Sequence, residues 1–193
     1  FYHLAGLPAA AVAVTVLLLW LPSWLMALVL RSTVNLAFAM LAGTALGVTV
    51  LLMVYAIHGD PGTWWLERMQ MLMEQLQQMG VMTGELSDTG GLQALSGLMT
   101  GIVLASLLLG AICSVILARW WQALLVKPGG LQAEFIGLRL GQTAGLLTLA
   151  VMIGSRLVDL PLSELLAQAA MLLLVPYLFA GLAVLHGLVV AGG

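Results

Sequence analysis

Charged residues are scarce in this sequence. Asp, Glu, Lys and Arg make up 7% of the 193 residues, as 6 basic and 8 acidic side chains, whereas a soluble domain carries about a quarter of its residues as charged groups. So few charges cannot cover a soluble monomer of this size, and a net charge of −2 offers no basic surface to a nucleic acid. Because 62% of the residues are apolar, we predict an integral membrane protein.

Cysteine and catalytic motifs are scarce as well. The single cysteine, Cys113, lies within an apolar run, which excludes a disulfide framework and a cysteine-based zinc site. The sequence contains no phosphate-binding loop, no dinucleotide-binding glycine pattern, no His-Glu-x-x-His helix and no nucleophile elbow. Every Asp and Glu falls in a connector or at the end of an apolar segment, which argues against an ion-coupled pump. We therefore expect neither an enzyme nor a bound cofactor.

Five apolar stretches approach the roughly 20 residues that a membrane-spanning helix needs. They cover residues 9–29, 34–57, 95–118, 142–158 and 163–190. This pattern predicts an all-α fold, a polytopic transmembrane helix bundle that forms one domain over residues 1–193. Pro22 leaves open whether the first two spans are separate helices or one kinked helix. The chain starts at Phe1 without a signal peptide and stops in an apolar stretch, so we expect it to be truncated at both ends.

Two connectors have the pattern of amphipathic helices. Asp60-Pro61 is typical of an N-cap followed by proline at the first helical position. Residues 61–79 then place apolar side chains on one arc and Glu and Gln on the opposite arc, so we expect this helix to lie on the membrane or the bundle. A turn at Pro128-Gly129-Gly130 precedes the second amphipathic connector, residues 131–140.

The distribution of Lys and Arg predicts an orientation. Four of the six basic side chains fall on one side of the predicted bundle, namely Arg31, Arg119, Lys127 and Arg139. Because basic residues concentrate on the cytoplasmic side, we expect connector 119–141 in the cytoplasm and connector 58–91 in the periplasm.

Methionine and histidine are the candidates for local chemistry. Met69 and Met73 share a helix face in a methionine-rich segment, and thioether sulfur is a soft ligand for Cu(I). Methionine also fills apolar faces, and interfacial packing is the expected role here. His186 lies inside the fifth predicted span, where an ionisable group indicates a functional site. The alternative is a neutral imidazole that is hydrogen-bonded to a neighbouring helix or lies near the membrane surface.

Glycines spaced by four residues recur along the predicted spans. The pairs are Gly43/Gly47, Gly97/Gly101, Gly137/Gly141 and Gly141/Gly145. This spacing allows helix backbones to approach closely, so it predicts a tight bundle. It also allows contact with partner membrane subunits or with a second copy of the chain.

The connector after the third predicted span has a distinctive sequence. It contains Arg119, Trp120, Trp121, Gln122, Lys127, Pro128, Gly129, Gly130, Glu134, Phe135 and Leu138-Arg139-Leu140. This connector resembles the YybS-like family of bacterial membrane proteins of unknown function. Segments 30–33, 59–61 and 181–187 resemble the same family, so the resemblance covers nearly all of the chain. The family is itself similar to the substrate-binding S components of energy-coupling-factor vitamin transporters, which implies a small helical bundle but no particular binding residue.

Two functions follow from these patterns. The first is a transporter-like bundle that binds a small molecule in a cavity between spans, closed by the outer amphipathic helix. The second is a non-transporting accessory subunit or assembly factor of a larger membrane complex, which would bury glycine-lined lateral faces against its partner. In either case the residues we expect to be functional or to contact partners are His186 and those of the connector: Arg119, Trp120, Trp121, Gln122, Lys127, Pro128, Gly129, Gly130 and Arg139.

Overall fold

The described part of the chain is entirely helical apart from its turns. The computed structural model describes residues 9–80, 89–126 and 128–192, and these contain seven helices and no strand. The helices are α1 (Ala9–Thr33), α2 (Leu36–His58), α3 (Pro61–Gln78), α4 (Thr89–Val126), α5 (Gly130–Ile136), α6 (Gln142–Leu157) and α7 (Leu162–Gly192). The all-α prediction is therefore confirmed.

The first two helices are separate rather than one kinked helix. α1 continues through Pro22, and the break falls later, at Val34, whose φ of 51° is left-handed. Asn35 then caps α2, because its side-chain oxygen accepts a hydrogen bond from the Phe38 backbone N–H at 3.3 Å. The break thus comes from a capping residue and not from the proline.

α3 begins where the capping pattern predicts. Gly59, with a φ of 71°, ends α2, and the Asp60 carboxylate accepts a hydrogen bond from the Gly62 N–H at 2.9 Å. Along α3 the side chains of Trp65, Met69 and Met73 are half-buried, whereas the Glu and Gln side chains are exposed. α3 is thus amphipathic, and it packs mainly against α4.

The described part of the chain contains three helices that could cross a membrane, fewer than the five predicted. By length and composition, α2, α4 and α7 qualify among the described residues. The fourth predicted span is wrong, because α6 has 16 residues and at 1.5 Å per residue extends only about 24 Å, less than the 30 Å hydrocarbon core. The first predicted span, 9–29, lies partly outside the residues whose side chains are described, although α1 itself has 25 residues.

Two further boundaries differ from the prediction. α4 has 38 residues, about 57 Å, and extends beyond the predicted 95–118 at both ends. α5 ends at Ile136, so the predicted helix over 131–140 is wrong in its second half. Leu138 and Leu140 are nevertheless buried, because the extended segment between α5 and α6 turns them into the bundle.

The core lies where α1, α2, α4 and α7 meet. Its fully buried side chains are Met26, Met40, Leu51, Ile112 and Leu172. Much of the outer surface is apolar as well, which a soluble monomer would not tolerate over so large an area. Together with the three long apolar helices, this surface indicates a membrane protein.

Candidate functional site

A groove lies between the C-terminal halves of α4 and α7 and is closed on one side by α5. Its volume is about 680 Å³, within the roughly 300–1,000 Å³ of small-molecule sites. Trp120 of α4, Phe135 of α5 and His186 of α7 all line it. We call this the α5 groove.

The position of α5 depends on a turn that requires glycine. Gly129 has a φ of 81°, which is open to glycine and costly for other residues, and it starts α5 at Gly130. At the other end of α5, Ile136 packs against Gly187 of α7, where a Cβ would lie 3.5 Å from the Ile136 Cγ2 atom. The short helix therefore bridges α4 and α7 over the groove.

An ion pair also holds α5 against α4. The Arg119 guanidinium contacts the Glu134 carboxylate, and the two side chains are 24% and 30% exposed. Arg119 Nη1 also donates a hydrogen bond to Gln122 Oε1 at 2.8 Å. The Arg119 Nε–H and the Glu134 Oε2 atom are buried without a partner among the described atoms, so a polar molecule in this region would find one donor and one acceptor unsatisfied.

His186 and Phe135 form one wall of the α5 groove. Their ring centroids are 6.4 Å apart in an edge-on arrangement, a favourable geometry for aromatic pairs. His186 is exposed and forms no hydrogen bond with any side chain of the described residues. Both of its ring nitrogens are therefore free to bind a ligand as donor or acceptor.

The structure brings some predicted residues together and leaves others apart. Trp120, Gly129 and His186 line the same groove, and Arg119 and Gln122 bond to each other beside it. Others lie outside the groove and are exposed: Trp121, Pro128 and Arg139. Gly130 is the first residue of α5, and Lys127 lies outside the described residues.

A buried polar cluster at the other end of the bundle was not predicted. Gln168 of α7 is 1% exposed, and its Nε2 group donates to the Gly97 carbonyl oxygen of α4 at 2.6 Å and to the Tyr55 hydroxyl of α2 at 2.7 Å. These bonds join α2, α4 and α7 through one side chain. The Gln168 Oε1 atom has no partner among the described atoms.

The same region contains close contacts that depend on glycine. A Cβ at Gly97 would lie 2.5 Å from Glu164 Oε1, and one at Gly62 would lie 3.2 Å from the Gly97 Cα atom. Nearby, the Trp65 indole N–H of α3 donates to the Thr100 hydroxyl at 2.9 Å. Gly97 thus allows both α3 and α7 to approach α4 closely. The Gly97/Gly101 spacing predicted a close approach of helices, but it could not identify α3 and α7 as the neighbours.

The structure corrects two further predictions about glycine, one for Gly97 and one for Gly141. Gly97 packs inside the bundle and cannot form a lateral face for a partner. Gly141 has a φ of 85° and precedes α6, so the pairs Gly137/Gly141 and Gly141/Gly145 are not helix-packing motifs. Gly110 of α4, in contrast, is exposed, and a Cβ there would meet no atom within 4 Å.

Two of the three methionines of α3 lie along the packed face of that helix. Met69 and Met73 are half-buried, whereas Met71 is 52% exposed. Over the described ranges no group of three or more His, Cys, Asp and Glu side chains is placed to hold a metal ion. Met82 and His3 lie outside the described residues.

Comparisons with known proteins return no relative. The chain matches no protein-family model, no curated protein and no solved structure.

Proposed function

We propose that this protein is a transporter-like membrane bundle that binds a small molecule in the α5 groove. One observation carries the proposal: Trp120, Phe135 and His186, which come from three different helices, line a single groove of about 680 Å³. Small-molecule sites combine mostly apolar walls with a few convergent polar groups, and this groove has that composition.

The lining of the groove favours a flat, mostly apolar ligand with one or two polar groups. The indole of Trp120 and the ring of Phe135 offer aromatic surfaces for stacking, while His186 and Gln132 offer donors and acceptors. A resemblance to S components of vitamin transporters fits the same ligand class, since several vitamins contain a heteroaromatic ring. The cavity differs from the one expected, because α5 closes it rather than the outer helix α3.

The proposed location is a bacterial inner membrane with the α5 groove on the cytoplasmic side. The excess of basic residues in the connector supports this orientation. Arg31 and Arg119 line one shallow cleft on the α1 side of α4. Two of the four basic residues that we assign to the cytoplasmic side are therefore close in space.

A thermal-shift measurement with matched variants tests the proposal. Ala123 is half-buried and lines the groove, whereas Leu125, two residues on, is 88% exposed and does not line it. A ligand at 100 times its Kd stabilises the folded state by about 2.7 kcal/mol, which raises the melting temperature by roughly 5–10 °C for a chain of this size. We expect a vitamin or related heterocycle to produce that shift in the wild type and in Leu125→Trp, but not in Ala123→Trp. An equal shift in all three proteins, or none with any compound, would contradict the proposal.

The second candidate is an accessory subunit that packs against partner helices. One observation favours it: a lateral cleft of about 620 Å³ between α1 and α4 is lined by Trp20, Trp24 and Gly110, and both tryptophans are more than half exposed. Small residues allow helices to approach closely in a membrane. If this function holds, a partner that copurifies with the wild type is lost in Gly110→Leu and retained in Ala123→Trp. Binding of a small molecule with no copurifying subunit would count against it.

A further inference from the structure

The cleft between the C-terminal ends of α1 and α4 contains two arginines. It has a volume of about 440 Å³, and Arg31 of α1 lines it together with Arg119 and Gln122 of α4. No carboxylate of the described residues is part of its lining. We call it the arginine cleft. It shares no lining residue with the α5 groove, which lies on the α7 side of α4, so the two are separate.

Two side chains of the arginine cleft have hydrogen-bond donors to spare. The Arg31 guanidinium is exposed and forms neither an ion pair nor a hydrogen bond with the described residues. Gln122 uses its Oε1 atom to accept from Arg119 Nη1 at 2.8 Å, so its amide nitrogen is left as a donor without a partner among the described atoms. A guanidinium matches the oxygens of a phosphate in a bidentate manner. These donors therefore suit an anion that has several oxygens.

The arginine cleft keeps a positive charge even when the ion pair of Arg119 is counted. Glu134 of α5 compensates the charge of Arg119, whereas no described carboxylate compensates that of Arg31. These three groups together carry one positive charge, which a phosphodiester would balance. The carboxylates of Asp60 and Glu164 lie at the opposite end of α4, about 33 Å away along its axis. They are too distant to repel an anion in the cleft.

The apolar part of the cleft lies toward the middle of α4, which is long and apolar enough to cross a membrane. α1 and α4 run in the same direction, because residues 20–24 share one cleft with 106–114 and residues 27–34 share the next with 115–122. Within both helices the apolar lining residues precede the arginine: Ala27 and Leu30 in α1, Val115 and Ala118 in α4. The exposed pair Trp120-Trp121 marks the level of the lipid headgroups. An apolar floor below a cationic rim at that level is complementary to a phospholipid.

We propose that the arginine cleft binds the headgroup phosphate of an anionic phospholipid. The phosphate oxygens accept hydrogen bonds from the Arg31 guanidinium and the Gln122 amide. The beginning of the acyl chains covers Ala27 and Ala118, which line the cleft and are exposed. Basic pockets between membrane helices are typical sites for such headgroups. The proposal does not depend on the function that we propose for the α5 groove.

A lipid titration followed by native mass spectrometry tests the charge requirement. The full chain, freed of lipid in an uncharged detergent, is titrated with phosphatidylglycerol, and the apparent Kd of the first bound lipid is measured. Arg31 is exposed and unpaired, so Arg31→Gln keeps the fold and should raise this Kd about fivefold. The matched control is Arg156→Gln, which removes an exposed arginine of α6 outside the cleft and should bind like the wild type.

A steric variant tests the location independently of charge. Ala118→Trp fills the cleft and should weaken binding of phosphatidylglycerol at least as much as Arg31→Gln does. Leu117→Trp, at a side chain that is 52% exposed and outside the cleft, should bind like the wild type. Inorganic phosphate should not displace the lipid, because it has no acyl chains to cover the apolar floor. Three results would each overturn the proposal: equal Kd values for Arg31→Gln and Arg156→Gln, equal values for the two tryptophan variants, or displacement of the lipid by inorganic phosphate.

Discussion

Adding one methyl group at Gly101 should separate α4 from α7. A Cβ at this position would lie 2.7 Å from both Cβ and Cγ of Gln168 and 3.0 Å from its Cα. The Cα atom belongs to the α7 backbone, so a rotamer change of Gln168 cannot relieve the contact and the helices must move apart. That movement would also stretch the hydrogen bond from Gln168 to the Gly97 carbonyl oxygen, now 2.6 Å.

The size of the effect can be isolated by a matched variant on the same helix. Gly110 is exposed, and a methyl group added there would meet no atom within 4 Å, so Gly110→Ala and Gly101→Ala gain the same helix propensity, about 1 kcal/mol. Overpacking costs about 1–3 kcal/mol, and disturbing an interhelical hydrogen bond in a membrane protein adds about 0.6 kcal/mol. We therefore expect Gly101→Ala to be less stable than Gly110→Ala by about 2–4 kcal/mol. Gly97→Ala should fall between them, because its nearest atom is the flexible end of Glu164.

Unfolding in mixed micelles by titration with sodium dodecyl sulfate measures these differences. Helical content from circular dichroism at zero denaturant first checks that each variant folds. The order of stability expected is Gly110→Ala, then Gly97→Ala, then Gly101→Ala. If Gly101→Ala unfolds at the same detergent fraction as Gly110→Ala, the close approach of α4 and α7 is refuted.

Further predictions concern the ion pair and the buried glutamine. Glu134→Gln removes the charge that pairs with Arg119; because both side chains are partly exposed, the loss of stability should stay below about 1 kcal/mol, while the amide hydrogens of α5 should exchange faster. Unchanged exchange in α5 would argue against the pair as its anchor. Tyr55→Phe should cost about 0.6 kcal/mol, because Gln168 still donates to the Gly97 carbonyl oxygen. Gln168→Leu should cost more, because both acceptors then lose their donor, and the reverse order in the same titration would contradict the network.

The sequence predicted a helix boundary correctly where the boundary depends on residues that are adjacent in the chain. Asp60-Pro61 starts α3 as expected, because the cap and the fixed proline φ act within one turn. Hydropathy did not predict the ends of α4, because helical residues continue past the apolar core of that segment as far as Val126. For α6, predicted over 142–158, hydropathy gave the bounds to within one residue, but 16 residues are too few to cross the hydrocarbon core.

The candidate site was only partly predictable because it joins distant segments. The sequence singled out Trp120 and His186 separately, one by its connector and one by its depth in an apolar segment, and only the fold puts them in one groove. Gln168 was missed because a single amide in a long apolar helix has no local signal that it is buried. The Gly97/Gly101 spacing indicated a close approach, but the partner could be identified only once α7 was placed against α4.

We propose above all that the α5 groove binds a small molecule. Native mass spectrometry of the protein released directly from its own membrane tests it most directly, because it reports the mass and occupancy of whatever is bound. We expect an adduct of one discrete mass on the wild type and on Leu125→Trp, and its loss from Ala123→Trp. An adduct of equal occupancy on all three proteins, or no adduct on any of them, would contradict it.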